Sequence, residues 1–249
     1  MSDASSTDSK PAVIHAPIVD WSTTPLTAEY EGSYVKILDN VFTAEECAEL
    51  IALAESDAKW EQAAVHYGLG PNDKYVDTKY RNSQRILRFD RPAADKLYQR
   101  LQPYVQELAS INAGDKWTSI FGTPEFVEGV WECVGVNERL SFLKYGEGHF
   151  FGAHCDSLQT LPDGRKGRVT LQIYLGDDDV EGGATRIYGT KNRVFDVEPK
   201  KGRVLIFQHR HVYHSGEKVT KGFKYTLRSD FMFRNKINGK DIYDSDDAL

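Results

Sequence analysis

The sequence predicts an α+β fold that is mainly β: a double-stranded β-helix (jelly roll) core with flanking helices drawn from the N-terminal half. Three observations carry this. At least six β-like segments follow one another after Leu140, separated by glycine-containing turns. Before Leu140, two stretches place apolar residues at helical spacing. At the end of one strand-like run, His154 and Asp156 stand two residues apart, so an extended backbone points both to the same side.

Taken in order, residues 1–12 are rich in Ser, Asp and Thr and carry too little apolar surface to offset ordering, so a disordered tail is expected. Tyr34 to Phe42 alternates as a half-buried strand does. Thr43 reads as an N-cap, with Glu46 completing a capping box ahead of a helix over Cys47 to Ala58. Glycine, proline and asparagine make Trp60 to Asp90 a loop. Pro92 to Ala109 returns to helix, its stripe being Ala93, Leu97, Leu101, Val105 and Leu108, and Pro103 should kink or divide it. Trp117, Phe121, Phe126 and Trp131 are assigned to the core because large aromatics carry much buried area.

The next segment is a strand with Arg139, Ser141, Leu143 and Tyr145 on one face. Leu161-Pro-Asp-Gly-Arg-Lys166 reads as a hairpin turn before a strand over Arg168 to Leu175, on which Thr170, Gln172 and Tyr174 share a face. The acidic run Asp177 to Glu181 fits no EF-hand spacing and reads as a solvated turn. Gly182 and Gly183 then permit a tight path into a strand that turns Thr185 to the pocket. Val204 to Phe207 is a short apolar strand, and residues 237–249 read as an acidic tail.

His154 and Asp156 can grip one metal ion, and His214, between two strand-like segments, is the candidate third ligand. Two imidazoles and one carboxylate form the facial set that holds non-haem Fe(II) and leaves positions open opposite. His209 and His211 are rivals, read as exposed loop histidines. Lys224, ten residues after His214 on a returning strand, supplies an inward cation, which suggests an anionic co-substrate.

These residues resemble a known family: the Fe(II)- and 2-oxoglutarate-dependent oxygenases, in the branch containing the prolyl 4-hydroxylase catalytic domain. The resemblance runs from about Leu140 to Phe233 through Tyr145-Gly, His154-Cys-Asp156, Tyr174-Leu, Gly182-Gly-Ala-Thr185, Lys201-Gly-Arg-Val-Leu-Ile-Phe207, His214-Ser-Gly and Gly222-Phe-Lys224-Tyr. It implies Fe(II) on His154, Asp156 and His214, preferred over its rivals because its register to Lys224 matches. It further implies 2-oxoglutarate held by Lys224 with help from Tyr145 and Thr185. Tyr174 is a co-substrate contact or a structural tyrosine, and Arg228, on the Lys224 face, is an alternative carboxylate partner or a substrate contact.

Ascorbate is a candidate reductant. Asp156 favours hydroxylation, since halogenating relatives lack that carboxylate. Arg81, Asn82 and Arg85 precede the core where relatives place a lid, and are candidate substrate contacts, Arg81 first; Arg139 is another, or pairs with a core carboxylate. One oxygenase domain is expected over 13–236, with a helical and lid region over about 41–136 and the jelly-roll core over about 137–235.

The expected reaction is hydroxylation of an unactivated C–H bond in a small molecule or amino-acid-like substrate, using O2 and releasing succinate and CO2. The alternatives are an intracellular protein or peptide prolyl hydroxylase and, from another class, a non-catalytic metal-binding jelly roll of the cupin kind. A net charge of −6 gives no reason to expect nucleic acid as partner. Three scattered cysteines, no apolar leader at the N-terminus and no membrane-length apolar run point to a cytoplasmic protein. Oligomeric state is not legible.

Overall fold

The computed structural model describes residues 14–66 and 74–242. The expected tail over 1–12 and most of the expected acidic tail lie outside them. Ile237 still belongs to the last long strand, and Lys240–Asp241 folds back beside it, so strand pairing continues past residue 236.

Two antiparallel sheets face each other. The major sheet runs, in spatial order, Ile14–Ile18, Val35–Asp39, Val204–Gln208, Lys166–Tyr174, Lys224–Ile237, Arg139–Tyr145, Gln84–Phe89 and Glu61–Gln62. The minor sheet runs Val194–Val197, Thr185–Tyr188, His214–Gly216, Phe150–His154 and Arg81–Asn82. From Arg139 onward the chain repeatedly crosses from one sheet to the other, which is the expected jelly roll.

Period-two alternation gives the major sheet two unlike faces. Ile86, Leu140, Phe142, Val169, Leu171, Ile173 and Leu227 are buried in the principal core on the outer face. The helices Ala44–Glu55 and Arg91–Leu101 close that core with Cys47, Ala54, Ala94, Leu97 and Leu101. The intervening residues of the same strands, among them Arg139, Ser141, Leu143, Tyr145, Thr170 and Gln172, turn inward and line the cavity between the sheets.

The helix expected over Cys47 to Ala58 spans Ala44–Glu55, starting directly after its capping box. Thr43 Oγ1 accepts from Glu46 N, and Glu46 Oε2 accepts from Thr43 N at 2.9 Å. Pro103 does divide its helix: regular α-structure ends at Leu101, and two 3-10 turns follow, Gln102–Tyr104 and Gln106–Leu108.

Two readings are corrected. The segment from Trp60 to Asp90 is not loop throughout, because Gln84–Phe89 pairs residue for residue with Arg139–Tyr145. The region 41–136 is thus partly strand. Phe126, expected in the core, is 83% exposed on a 3-10 turn, whereas Trp117, Phe121 and Trp131 are buried as expected.

Gly202 fastens the helical layer to the sheet. Its carbonyl accepts from Val41 N and Phe42 N, its N–H donates to Tyr174 O, and its φ is +75°. A Cβ there would lie 2.0 Å from the Phe42 carbonyl oxygen. Gly202→Ala is expected to cost about 2–4 kcal/mol, read as a lower urea midpoint with unchanged slope.

Candidate active site

His154 closes the strand Phe150–His154 and pairs with His214 across the ladder. Asp156, two residues on, reaches the same point. Its Oδ1 lies 3.8 Å from His154 Nε2 and its Oδ2 lies 4.0 Å from His214 Nε2. One ligand atom from each of the three lies within 4.8 Å of the others.

The imidazoles are oriented alike by their backbone. His154 Nδ1 lies 2.8 Å from Gly152 O, and His214 Nδ1 lies 3.0 Å from Val212 O. Each Nδ1–H donates to a carbonyl two residues earlier, which puts both Nε2 lone pairs on the Asp156 side. Phe151 stacks on His154 at 3.9 Å between ring centroids, and Phe207 meets His214 edge-on at 4.7 Å. Burial lowers both histidine pKa values, to about 4 for His154, so both rings are neutral and able to ligate at neutral pH. Burial alone would raise the Asp156 carboxyl, but the Arg228 guanidinium beside it holds it well below the usual range.

Arg228 is committed to carboxylates already. Its Nη2 lies 3.1 Å from Asp156 Oδ1 and 3.1 Å from Asp230 Oδ1. Asp230 is buried and also meets His209 Nε2 at 3.1 Å. His209 is thereby corrected: it is 1% exposed, because the strand ladder continues to it through a bond from His209 N to Arg168 O. His211 is exposed, as expected. Thr170 Oγ1 donates to Asp156 Oδ2, so both oxygens of that carboxylate are held.

Lys224 differs from Arg228. Its ammonium is buried, donates to Gly183 O at 2.6 Å, and lies 5.2 Å from the Tyr145 ring and 5.6 Å from the Tyr174 ring. It has no carboxylate within ion-pair distance among the described residues. Burial pushes its pKa down to about 8. Gly183, at φ +73°, brings its carbonyl to the ammonium, and a Cβ there would press on Lys224 Cδ at 3.2 Å.

Thr185 Oγ1 accepts from Gln172 Nε2 at 2.9 Å and from Tyr174 Oη at 2.8 Å. With both lone pairs used, its own proton is left for the cavity. Tyr174 therefore acts through Thr185 and does not line the cavity itself. Thr226 Oγ1, missed from sequence, lines the cavity between Lys224 and Arg228 and is buried without a hydrogen-bond partner among the described residues. Period-two reading of Lys224 to Arg228 would have found it.

The cavity measures about 260 Å³ and is lined by all three candidate ligands together with Tyr145, Thr185, Lys224 and Arg228. Arg81, Arg85 and Arg139 line it too; Asn82 does not, which corrects its assignment, since the neighbour of an inward residue on a strand points away.

Residues 140–229 match the family model of the 2OG-Fe(II) oxygenase superfamily. No curated protein matches the sequence. Among solved structures, a Pseudomonas putida prolyl-4-hydroxylase superposes with a TM-score of 0.54 at 17% identity, over 85% of this chain and 95% of that one. A viral collagen prolyl hydroxylase from Paramecium Bursaria Chlorella virus-1, in a 2OG complex, gives 0.50 at 18% identity, over 82% and 98%. A Trichoplax adhaerens prolyl hydroxylase, in complex with a hypoxia inducible factor oxygen degradation domain peptide fragment, gives 0.51 at 17% identity, over 79% and 83%. At these identities the likeness establishes the fold.

Proposed function

Through residues 140–229 this chain is a member of the 2OG-Fe(II) oxygenase superfamily, and from that premise we propose that it hydroxylates an unactivated C–H bond of a small, amino-acid-like substrate, releasing succinate and CO2. It is a 2-oxoglutarate-dependent dioxygenase whose cofactors are Fe(II) and 2-oxoglutarate, which sets aside the non-catalytic cupin-like reading.

The observation that carries the site assignment is the convergence of two like-oriented Nε2 atoms and one carboxylate, with a buried, carboxylate-free ammonium on the same cavity. On this reading His154, Asp156 and His214 hold the iron, a neutral-histidine and carboxylate set suited to Fe(II). With 2-oxoglutarate and dioxygen the iron supplies the oxidation, one oxygen atom entering succinate and the other the product.

The rest is done by the chain. The two backbone carbonyls hold each imidazole in one tautomer, and Thr170 and Arg228 fix the carboxylate. Lys224, with the hydroxyls of Thr185 and Thr226, offers the far carboxylate of 2-oxoglutarate a cation and donors in a buried setting. Leu143, Phe151 and Phe207 give part of the cavity wall an apolar surface.

Lys224 makes this reading pH-dependent. The folded value of about 8 lies below the ordinary 10.5, so the folded chain sheds this proton first. Between those values the unfolded chain binds more protons, and the Lys224 contribution to stability rises with pH. Co-substrate binding needs the charged form, so 2-oxoglutarate affinity is expected to fall by about tenfold per pH unit above pH 8. Titrating 2-oxoglutarate at pH 7, 8 and 9 checks this, and a flat profile would contradict it.

A second reading, a peptide prolyl hydroxylase inside the cell, is favoured by the prolyl hydroxylases with this fold, one of them peptide-bound. The cavity of about 260 Å³ suits a small molecule or a single inserted side chain. Residues 67–73, part of the stretch expected to form a lid, lie outside the described residues. Succinate release over a panel of amino acids, small organic acids and proline-containing peptides separates the two. Stimulation by a free small molecule supports the first reading, and stimulation by proline peptides alone supports the second. Among the described residues no helix is long and apolar enough to cross a membrane, and the three free cysteines support a cytoplasmic location.

A further inference from the structure

Arg81, Arg85 and Arg139 are carried into the cavity by strands that the fold places side by side. Arg85 stands opposite Leu143 in the ladder between Gln84–Phe89 and Arg139–Tyr145, and Arg139 lies four residues before Leu143 on the same face. Arg81 sits on the adjoining minor-sheet strand, with its guanidinium 4.3 Å from the centre of the Phe151 ring. All three line the cavity beside the candidate iron ligands.

None of the three has a carboxylate partner among the described residues. Arg81 bonds neutral groups, Nε to Ser83 Oγ at 3.3 Å, Nη1 to Ala64 O at 3.4 Å and its guanidinium to the Tyr145 hydroxyl. The Arg85 and Arg139 guanidiniums make no hydrogen bond among the described residues. Glu61 stands directly opposite Arg85 in the ladder between Glu61–Gln62 and Gln84–Phe89 and is its nearest counter-charge, but it is exposed and forms no ion pair with Arg85.

Three half-buried or buried guanidiniums on one cavity, none in an ion pair among the described residues, cost stability unless something answers them. Burial lowers the pKa of each, to about 10 for Arg85, and Arg81 and Arg139 both add repulsion at Arg85. The iron and its co-substrate do not answer them. The formal charges of Fe(II), the 2-oxoglutarate dianion, Lys224, Arg228, Asp156 and Asp230 sum to zero, and Glu61, opposite Arg85, adds one exposed negative charge. Three arginines against one exposed glutamate leave the wall with excess positive charge.

We propose that the primary substrate carries an oxyanion, a carboxylate or a phosphate or sulfate group, seated on Arg85 and Arg139 with Arg81 beside them. This rests on the dioxygenase reading above and names the substrate class for the same site. Each guanidinium offers an oxyanion a fork of parallel N–H donors. The anion would anchor the molecule on the wall formed by Gln84–Phe89 and Arg139–Tyr145, leaving its C–H bond toward the ligand cluster.

The test uses the protein loaded with Fe(II) and 2-oxoglutarate under nitrogen, with sodium acetate, phosphate and sulfate titrated in turn by calorimetry. At least one is expected to bind saturably at one per chain. Arg85→Gln and Arg139→Gln should each weaken it about tenfold, and Arg85→Lys should recover part of the loss. The 2-oxoglutarate affinity should stay as in the wild type. A preference for acetate identifies a carboxylate substrate, and a preference for phosphate or sulfate identifies an ester of that acid.

The proposal is overturned if none of the three anions saturates, or if binding survives both glutamine variants. It is also overturned if those variants raise the 2-oxoglutarate requirement, because the arginines would then serve the co-substrate. Failure of the wild type to take up Fe(II) and 2-oxoglutarate at all, seen before any probe is added, would instead sink the dioxygenase site assignment.

Discussion

Lys224→Ala is expected to raise the 2-oxoglutarate concentration for half-maximal turnover about a hundredfold while leaving iron affinity unchanged. The ammonium is buried, has only the Gly183 carbonyl as a hydrogen-bond acceptor, and faces the cavity with the hydroxyls of Thr185 and Thr226. Arg228→Ala should behave differently. Its guanidinium already joins Asp156 to Asp230, so removing it leaves two buried carboxylates without their cation and should cost about 3–5 kcal/mol of stability. Steady-state kinetics in 2-oxoglutarate, with thermal unfolding of both variants, separate the roles. If Arg228→Ala lost co-substrate affinity and Lys224→Ala did not, the assignment of the two cations would have to be exchanged.

The second large effect is expected at Asp156. Asp156→Ala should abolish turnover and reduce Fe(II) affinity beyond the roughly 10–100-fold that loss of an outer-shell partner costs. Thr170→Val, which removes only the hydroxyl that donates to Asp156 Oδ2, should fall inside that range. The iron-free Asp156→Ala protein should also be less stable by about 3 kcal/mol, because Arg228 then keeps only Asp230. Equilibrium iron binding and urea unfolding measure the two consequences separately. Iron affinity equal to wild type in Asp156→Ala would remove this residue from the ligand set.

Much of this site was legible because its residues sit on strands whose alternation states their facing. His154 and Asp156 two apart, Lys224 on a returning strand, and Arg139 to Tyr145 on one face all follow from period two, and the structure places them on one cavity. The capping box at Thr43 and the break at Pro103 were legible because each is a local device.

What escaped depends on partners distant in sequence. Gln84–Phe89 turns Arg85 to the cavity and Ile86 to the core, so a strand that lines a polar cavity shows little of the usual apolar alternation. His209 looked like a loop residue because nothing near it in the chain reveals Asp230, 21 positions away. The pairing of Arg228 with Asp156 is likewise a cross-strand event. For Tyr174 the sequence leaves a co-substrate contact and a structural tyrosine both open, because the partner of its hydroxyl, Thr185, lies on the facing sheet. Phe126 shows that an aromatic in an irregular segment carries no periodicity to say which way it points.

We propose one iron held by His154, Asp156 and His214, with 2-oxoglutarate beside it on Lys224. Anaerobic absorption spectroscopy tests it most directly, with Fe(II) and then 2-oxoglutarate added to the wild-type, His214→Ala and Lys224→Ala proteins. A metal-to-ligand charge-transfer band is expected at one iron per chain in the wild type, no band in His214→Ala, and a band in Lys224→Ala only at far higher 2-oxoglutarate. A wild-type protein without the band, or a His214→Ala protein that keeps it unchanged, would contradict the claim.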